Sequence, residues 1–278
     1  MAITKSKLFS LHLFPDVVAE ECRLWHRFVD NHQGIKLENF LPKQSDGDSW
    51  HHRIVLYTQD NREQFLPIMD RLFLEMEQQN EHFAPIYCSA VEAYSEMTLT
   101  AVRLLCELNG NLKSALSRLV GRIVIVECEE LVGCSSALFL GLIIIAPKKH
   151  WTIYEYMENI IHEMSHVELY MKQLVDPLTM KGSYLNSPFR KKLRPASGVY
   201  HAAFVLARII LLLAPLSSSS EHSTEMEKRL DAWRLMLHET LSQFHGEEIL
   251  TPAGESLFNE MCGLTENLAP LITVRDQG

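Results

Sequence analysis

The chain has 278 residues, 47% of them apolar and 22% charged, which is enough to build one large globular domain or two small ones. Its formal net charge of −9 excludes a general nucleic-acid binder, because phosphate recognition needs a basic footprint. Cys22, Cys88, Cys106, Cys128, Cys134 and Cys262 stand at irregular spacings with no CxxC pair, the pattern of reduced thiols in a cytoplasmic protein and not of a disulfide framework.

Near the N-terminus, Lys5 and Lys7 precede a short apolar run at 8–14. Ser10 and His12 interrupt it and no small-residue cleavage site follows, so no signal peptide is expected. Apolar residues at helical spacing predict a helix over 15–31, and Lys43 to Ser49 reads as a polar loop. A short strand is expected at 53–57, followed by helices at 61–80 and 86–109, with Asn109-Gly110 as the stop signal of the second. The sequence then changes character. Residues 122–128 are β-branched and predict a strand, and 135–146 predict one or two buried strands.

A long helix is expected from about Thr152, where Thr152 and Glu155 fit a capping box. Ile153, Met157, Ile160, Met164, Val167, Met171 and Leu174 form its apolar stripe, and Asp176-Pro177 ends it. Residues 181–195 read as a loop carrying Arg190, Lys191, Lys192 and Arg194. A second core helix is expected over 198–213, a serine-rich linker at 217–220, and two further helices at 222–245 and 252–262. The runs at 137–147 and 204–216 are shorter than the roughly 20 residues that span a bilayer, so both read as core and no membrane association is expected. Together these elements predict an α+β fold, predominantly helical, with a small sheet flanking one chemically loaded helix. A helical region at 1–120 and a catalytic region at 121–278 read as one continuous globular unit.

That helix contains His162-Glu163-Met164-Ser165-His166, an HExxH motif. Positions i and i+4 lie on one helix face, so the imidazoles of His162 and His166 can share one metal ion. Glu163 occupies the position that in metalloproteases holds the general base. A third ligand is normally needed. No HxxGxxH extension follows His166, and the helix over 198–213 has no acidic residue. It does have His201, either a third ligand or a satisfied core histidine, and Arg208, either an internal ion pair or a clamp for a co-substrate carboxylate. Arg194 is a second candidate for that clamp. The apolar run at 137–146 offers an edge along which an extended peptide could pair.

Taken together, HEMSHVELY at 162–170, RPASGVYHAAFVLAR at 194–208 and LTPAGESLF at 250–258 resemble the HExxH-type 2-oxoglutarate-dependent peptide β-hydroxylases of ribosomal-peptide modification pathways. The resemblance is specific over about 160–260. It implies a zincin-like core, Fe(II) held by His162, His166 and His201, and arginines matching Arg194 and Arg208. The implied partners are a precursor peptide, 2-oxoglutarate and dioxygen. The motif alone equally fits a zinc metallopeptidase, with Glu163 as base and Tyr170, Tyr184 or Tyr200 as oxyanion donor.

Overall fold

A computed structural model describes residues 5–31, 39–42, 49–78, 91–218, 223–244 and 248–265. In chain order these form α1 (Lys5–Leu8), α2 (Pro15–Asn31), β1 (Ile54–Leu56), α3 (Arg62–Gln78), α4 (Glu92–Leu108), α5 (Gly110–Leu119), β2 (Arg122–Ile125), β3 (Gly133–Ser135), β4 (Leu142–Ile145), α6 (Ile153–Val175), β5 (Tyr184–Ser187), β6 (Lys192–Pro195), α7 (Ala196–Leu213), α8 (Ser223–Leu241) and α9 (Pro252–Gly263). The fold is α+β and predominantly helical, with a small mixed sheet. The chain divides into two compact units: residues 18–168, and residues 1–17 with 169–278. The expected loop at 43–48, Cys88 and the start of the helix expected from 86 lie outside the described residues.

The first unit holds the four-stranded sheet, in the order β1-β2-β4-β3. β1, β2 and β4 are parallel, and β3 runs antiparallel along the edge, with Gly133 opposite Ile145 and Ser135 opposite Ile143. Ile123, Val124, Ile125, Ile143, Ile144 and Ile145 are all fully buried, because a parallel sheet is covered on both faces and its strands read as continuous apolar runs. One face packs Val124, Leu142 and Ile144 against Phe65, Ile68, Met69 and Leu72 of α3. Lys148 Nζ donates to the carbonyls of Glu129 (3.0 Å) and Leu131 (2.7 Å), and also to that of Cys128, which ties down the loop leading into β3.

Two expectations change here. The run at 137–146 is not a peptide-pairing edge: 137–139 form a 3-10 turn, and β4 has neighbours on both sides, β2 and β3. Its backbone groups are therefore already paired, and the outer edge belongs to β3. Asn109-Gly110 ends α4 but also starts α5, since the Asn109 side chain accepts hydrogen bonds from the amides of Asn111 (2.8 Å) and Leu112 (3.3 Å).

The second unit contains the hairpin β5–β6, in the stretch read from sequence as a loop, with Leu185 opposite Arg194 and Asn186 opposite Leu193. Polar residues, cations and two prolines hide the alternation that would mark these strands, and cross-strand pairing makes them. β6 runs directly into α7, which packs on α8. The apolar stretch here is longer than 204–216. Helical residues Ala196–Ser218 are long and apolar enough to cross a membrane, and 67% of their apolar window is buried inside the protein.

The C-terminal LTPAGESLF segment forms a clasp in this unit. Thr251 caps α9 by accepting from Gly254 N (3.1 Å), while its hydroxyl donates to the Pro177 carbonyl (2.5 Å). Met180 N donates to the Ile249 carbonyl (2.6 Å), and Tyr200 donates its hydroxyl to the Gly254 carbonyl (2.8 Å).

Candidate metal centre

α6 starts as its capping signal predicts: the Glu155 carboxylate accepts from both the amide and the hydroxyl of Thr152, each at 2.6 Å. Its stripe residues Met157, Ile160, Met164, Val167 and Met171 are buried, whereas Leu174, one residue from the helix end, is 40% exposed. This burial fixes the rotation of the helix and so decides where the HExxH side chains point.

His162 and His166 stand one turn apart with their Nε2 atoms 3.2 Å apart. Two nitrogens at that separation, each about 2.05 Å from a shared ion, would subtend roughly 100° at it, which suits both tetrahedral and octahedral coordination. The His162 side chain keeps 42% of its surface exposed. Its surroundings nevertheless push its pKa down, to about 4, through desolvation. The ring is therefore neutral at pH 7 and offers a lone pair, as a metal ligand must. On donor chemistry and spacing, this pair fits one metal ion.

Glu163 reaches β3. Its carboxylate accepts a hydrogen bond from Ser135 Oγ at 2.7 Å and is 2% exposed. Gly133 and Ser135, two residues apart on one strand, face the same side of the sheet. A Cβ at Gly133 would lie 2.6 Å from Glu163 Oε1, so only glycine leaves room for this carboxyl. Glu163 Oε1 lies 3.9 Å from His162 Nε2. Gly133 and Ser135 were not identified as site residues from sequence, and no local motif marks them.

Burial pushes the Glu163 pKa up to about 8 from 4.5, against the Ser135 hydrogen bond, which lowers it. In metal-free protein the folded state then holds more protons than the unfolded state between about pH 4.5 and 8. Stability is lost as pH rises through that window. His162 acts oppositely: its folded pKa lies below its unfolded 6.5, so stability falls as pH drops from about 6.5 toward 4. Glu163→Gln is expected to abolish the alkaline loss, a difference of about 3 kcal/mol between pH 6 and pH 9 in urea melts of metal-free protein. Parallel pH profiles for wild type and variant would contradict a buried, protonated Glu163.

His201 lies on α7 in the other unit, with its ring centroid 5.7 Å from that of Tyr170. Desolvation, and then the charge of Arg194, lower its pKa to about 4. Arg194 is half-buried on β6, and a Cβ at Gly198 would sit 3.9 Å from its guanidinium. Arg208 is fully buried, with its guanidinium 5.0 Å above the Phe204 ring. Of the tyrosines considered as oxyanion donors, Tyr200 has already donated its hydroxyl to Gly254, and Tyr184 is 56% exposed on β5. The described residues thus contain the pair His162–His166 in one unit, with Glu163 held by Ser135, and Arg194 with His201 in the other. Among them no three His, Cys, Asp or Glu side chains gather as a metal-holding cluster. No family model matches the chain, and no curated protein matches it.

Proposed function

We propose that this chain is an Fe(II)- and 2-oxoglutarate-dependent oxygenase that hydroxylates the β-carbon of a residue in a ribosomally made peptide. The supporting frame is an HExxH helix, α6, whose Glu163 is anchored on the antiparallel edge strand β3, an arrangement like the core of zincins. His162 and His166 supply two nitrogens for the metal, and His201 is the third ligand in this reading.

The observation that carries the oxygenase over a hydrolase is the Arg194 guanidinium, 3.9 Å from where a Cβ at Gly198 would stand, one turn before His201 on α7. A guanidinium that already opposes protonation of His201 opposes a metal cation there too, unless an anion arrives with it. A 2-oxoglutarate dianion offsets that charge, and bidentate pairing with Arg194 orients it. Arg208, fully buried with its guanidinium 5.0 Å above the Phe204 ring, is the other arginine assigned to the 2-oxoglutarate carboxylate in this reading. Iron with 2-oxoglutarate and dioxygen would supply the oxidising power, coupling decarboxylation of the co-substrate to insertion of hydroxyl at a C–H bond. Glu163 has no proton to remove in that chemistry. Its carboxyl, held by Ser135, fixes the α6–β3 contact beside the histidine pair.

The second reading, a zinc metallopeptidase, is favoured by that same carboxyl, which lies 3.9 Å from His162 Nε2, where a bound water needs its base.

Anaerobic addition of Fe(II) and then 2-oxoglutarate to metal-free protein is expected to give a visible charge-transfer band. His201→Ala should remove it, and Arg194→Gln should raise the 2-oxoglutarate needed by about tenfold or more. Absence of the band, with zinc retained through purification, would transfer the assignment to the peptidase.

A further inference from the structure

From Pro177 to Ser220 the sequence carries no Asp or Glu, although the chain as a whole has 35 acidic residues and a net charge of −9. The cations of this stretch concentrate on the β5–β6 hairpin as Arg190, Lys191, Lys192 and Arg194. Lys191 and Lys192 are exposed, and Lys191 sits at the tip with a positive φ of 46°. The same hairpin exposes large apolar side chains: Leu193 at 63%, Tyr184 at 56% and Phe189 at 41%. A two-stranded ribbon is marginally stable on its own, and apolar groups turned to water add nothing to it. A mixed apolar and cationic patch of this kind marks a surface that another molecule covers.

We propose that the β5–β6 hairpin docks an acidic peptide segment bearing an aromatic or aliphatic side chain, and that this segment belongs to the enzyme's peptide substrate. Charge decides the occupant. A cationic ribbon on an acidic protein attracts a short anionic chain, while the remaining negative charge opposes approach to an extended polyanion such as a membrane surface or nucleic acid. Position supplies the link to chemistry. Pro195 ends β6 and caps α7, and His201 follows six residues on, roughly 9 Å along the helix. A peptide seated on the hairpin is therefore held beside Arg194 and His201. That link rests on the hydroxylase reading; the docking itself does not.

The test uses the whole chain and a short fluorescein-labelled peptide of glutamates around one phenylalanine, followed by fluorescence anisotropy. Binding is expected to weaken with added salt. It should drop about tenfold or more in the double variant Lys191→Glu, Lys192→Glu, and several-fold in Leu193→Ser, which keeps every charge. The iron and 2-oxoglutarate band is recorded on the same preparations and should be unchanged in these variants. The proposal is overturned if the all-lysine counterpart binds as well, if the double variant binds equally, or if phosphatidylserine vesicles or single-stranded RNA bind more tightly. Hairpin-dependent binding by a protein that never gives the band upholds the docking surface and rejects the hydroxylase.

Discussion

His166→Ala is expected to weaken Fe(II) or Zn(II) binding by about a thousandfold while leaving the fold intact. The two Nε2 atoms, 3.2 Å apart, would act as one chelating unit, so losing one ring would leave a single monodentate imidazole on α6. Four-ligand zinc sites bind with roughly 10–16 kcal/mol, so one ligand carries about 3–4 kcal/mol, or two to three powers of ten. The backbone of α6 does not depend on this ring, because the helix is held by Met157, Ile160, Met164 and Val167 in the core and by the Glu155 cap. Competition against a chelator of known affinity measures the first effect, and a thermal melt of metal-free protein checks the second. His162→Ala should behave alike. If either variant keeps wild-type affinity, the pair is not the metal site.

The second large effect concerns folding. Gly254→Ala is expected to cost about 3 kcal/mol or more, although alanine is the better helix former by about 1 kcal/mol at an open position. The added methyl would lie 1.9 Å from the Leu178 carbonyl oxygen and 2.9 Å from its carbon, and backbone atoms cannot swing aside as a side chain can. Relief requires the first turn of α9 to move. That movement strains the Thr251–Pro177 and Tyr200–Gly254 hydrogen bonds together. Gly263, at the other end of the helix, has nothing within 4 Å of an added Cβ, so Gly263→Ala serves as the tolerated control. Denaturant midpoints at constant slope report both. Equal midpoints for the two variants would show that the clasp yields without cost.

The clasp also accounts for the C-terminal sequence. Within its unit, LTPAGESLF closes residues 249–254 onto the exit of α6 at Pro177–Met180. The cap Thr251-Pro252 was readable because it is a local pattern, whereas the contact with Leu178 was not, since nothing near Gly254 in sequence announces it.

The same division separates the rest of the molecule. Long amphipathic helices such as α2, α3, α6 and α7, and the β-branched strand β2, were legible because a 3.6-residue or continuous apolar pattern records which face meets the core. Shorter elements were not. Gly133-Cys134-Ser135 has little strand propensity and becomes β3 by pairing with β4, and 192–195 becomes β6 by pairing with β5. Asn109-Gly110 carried two meanings, a stop and a start, and only the stop was evident.

For the candidate sites, sequence by itself determined that His162 and His166 share a helix face, because i and i+4 geometry is a property of the helix alone. Tertiary structure decided everything about their surroundings. Glu163 has its raised pKa from burial, its hydrogen bond from Ser135 28 residues away, and its space from the missing side chain of Gly133. Arg194 bears on His201 because β6 runs straight into α7, where sequence alone showed only a basic loop before a helix. Residue spacing encodes local geometry, while desolvation and long-range contact arise only when distant segments pack.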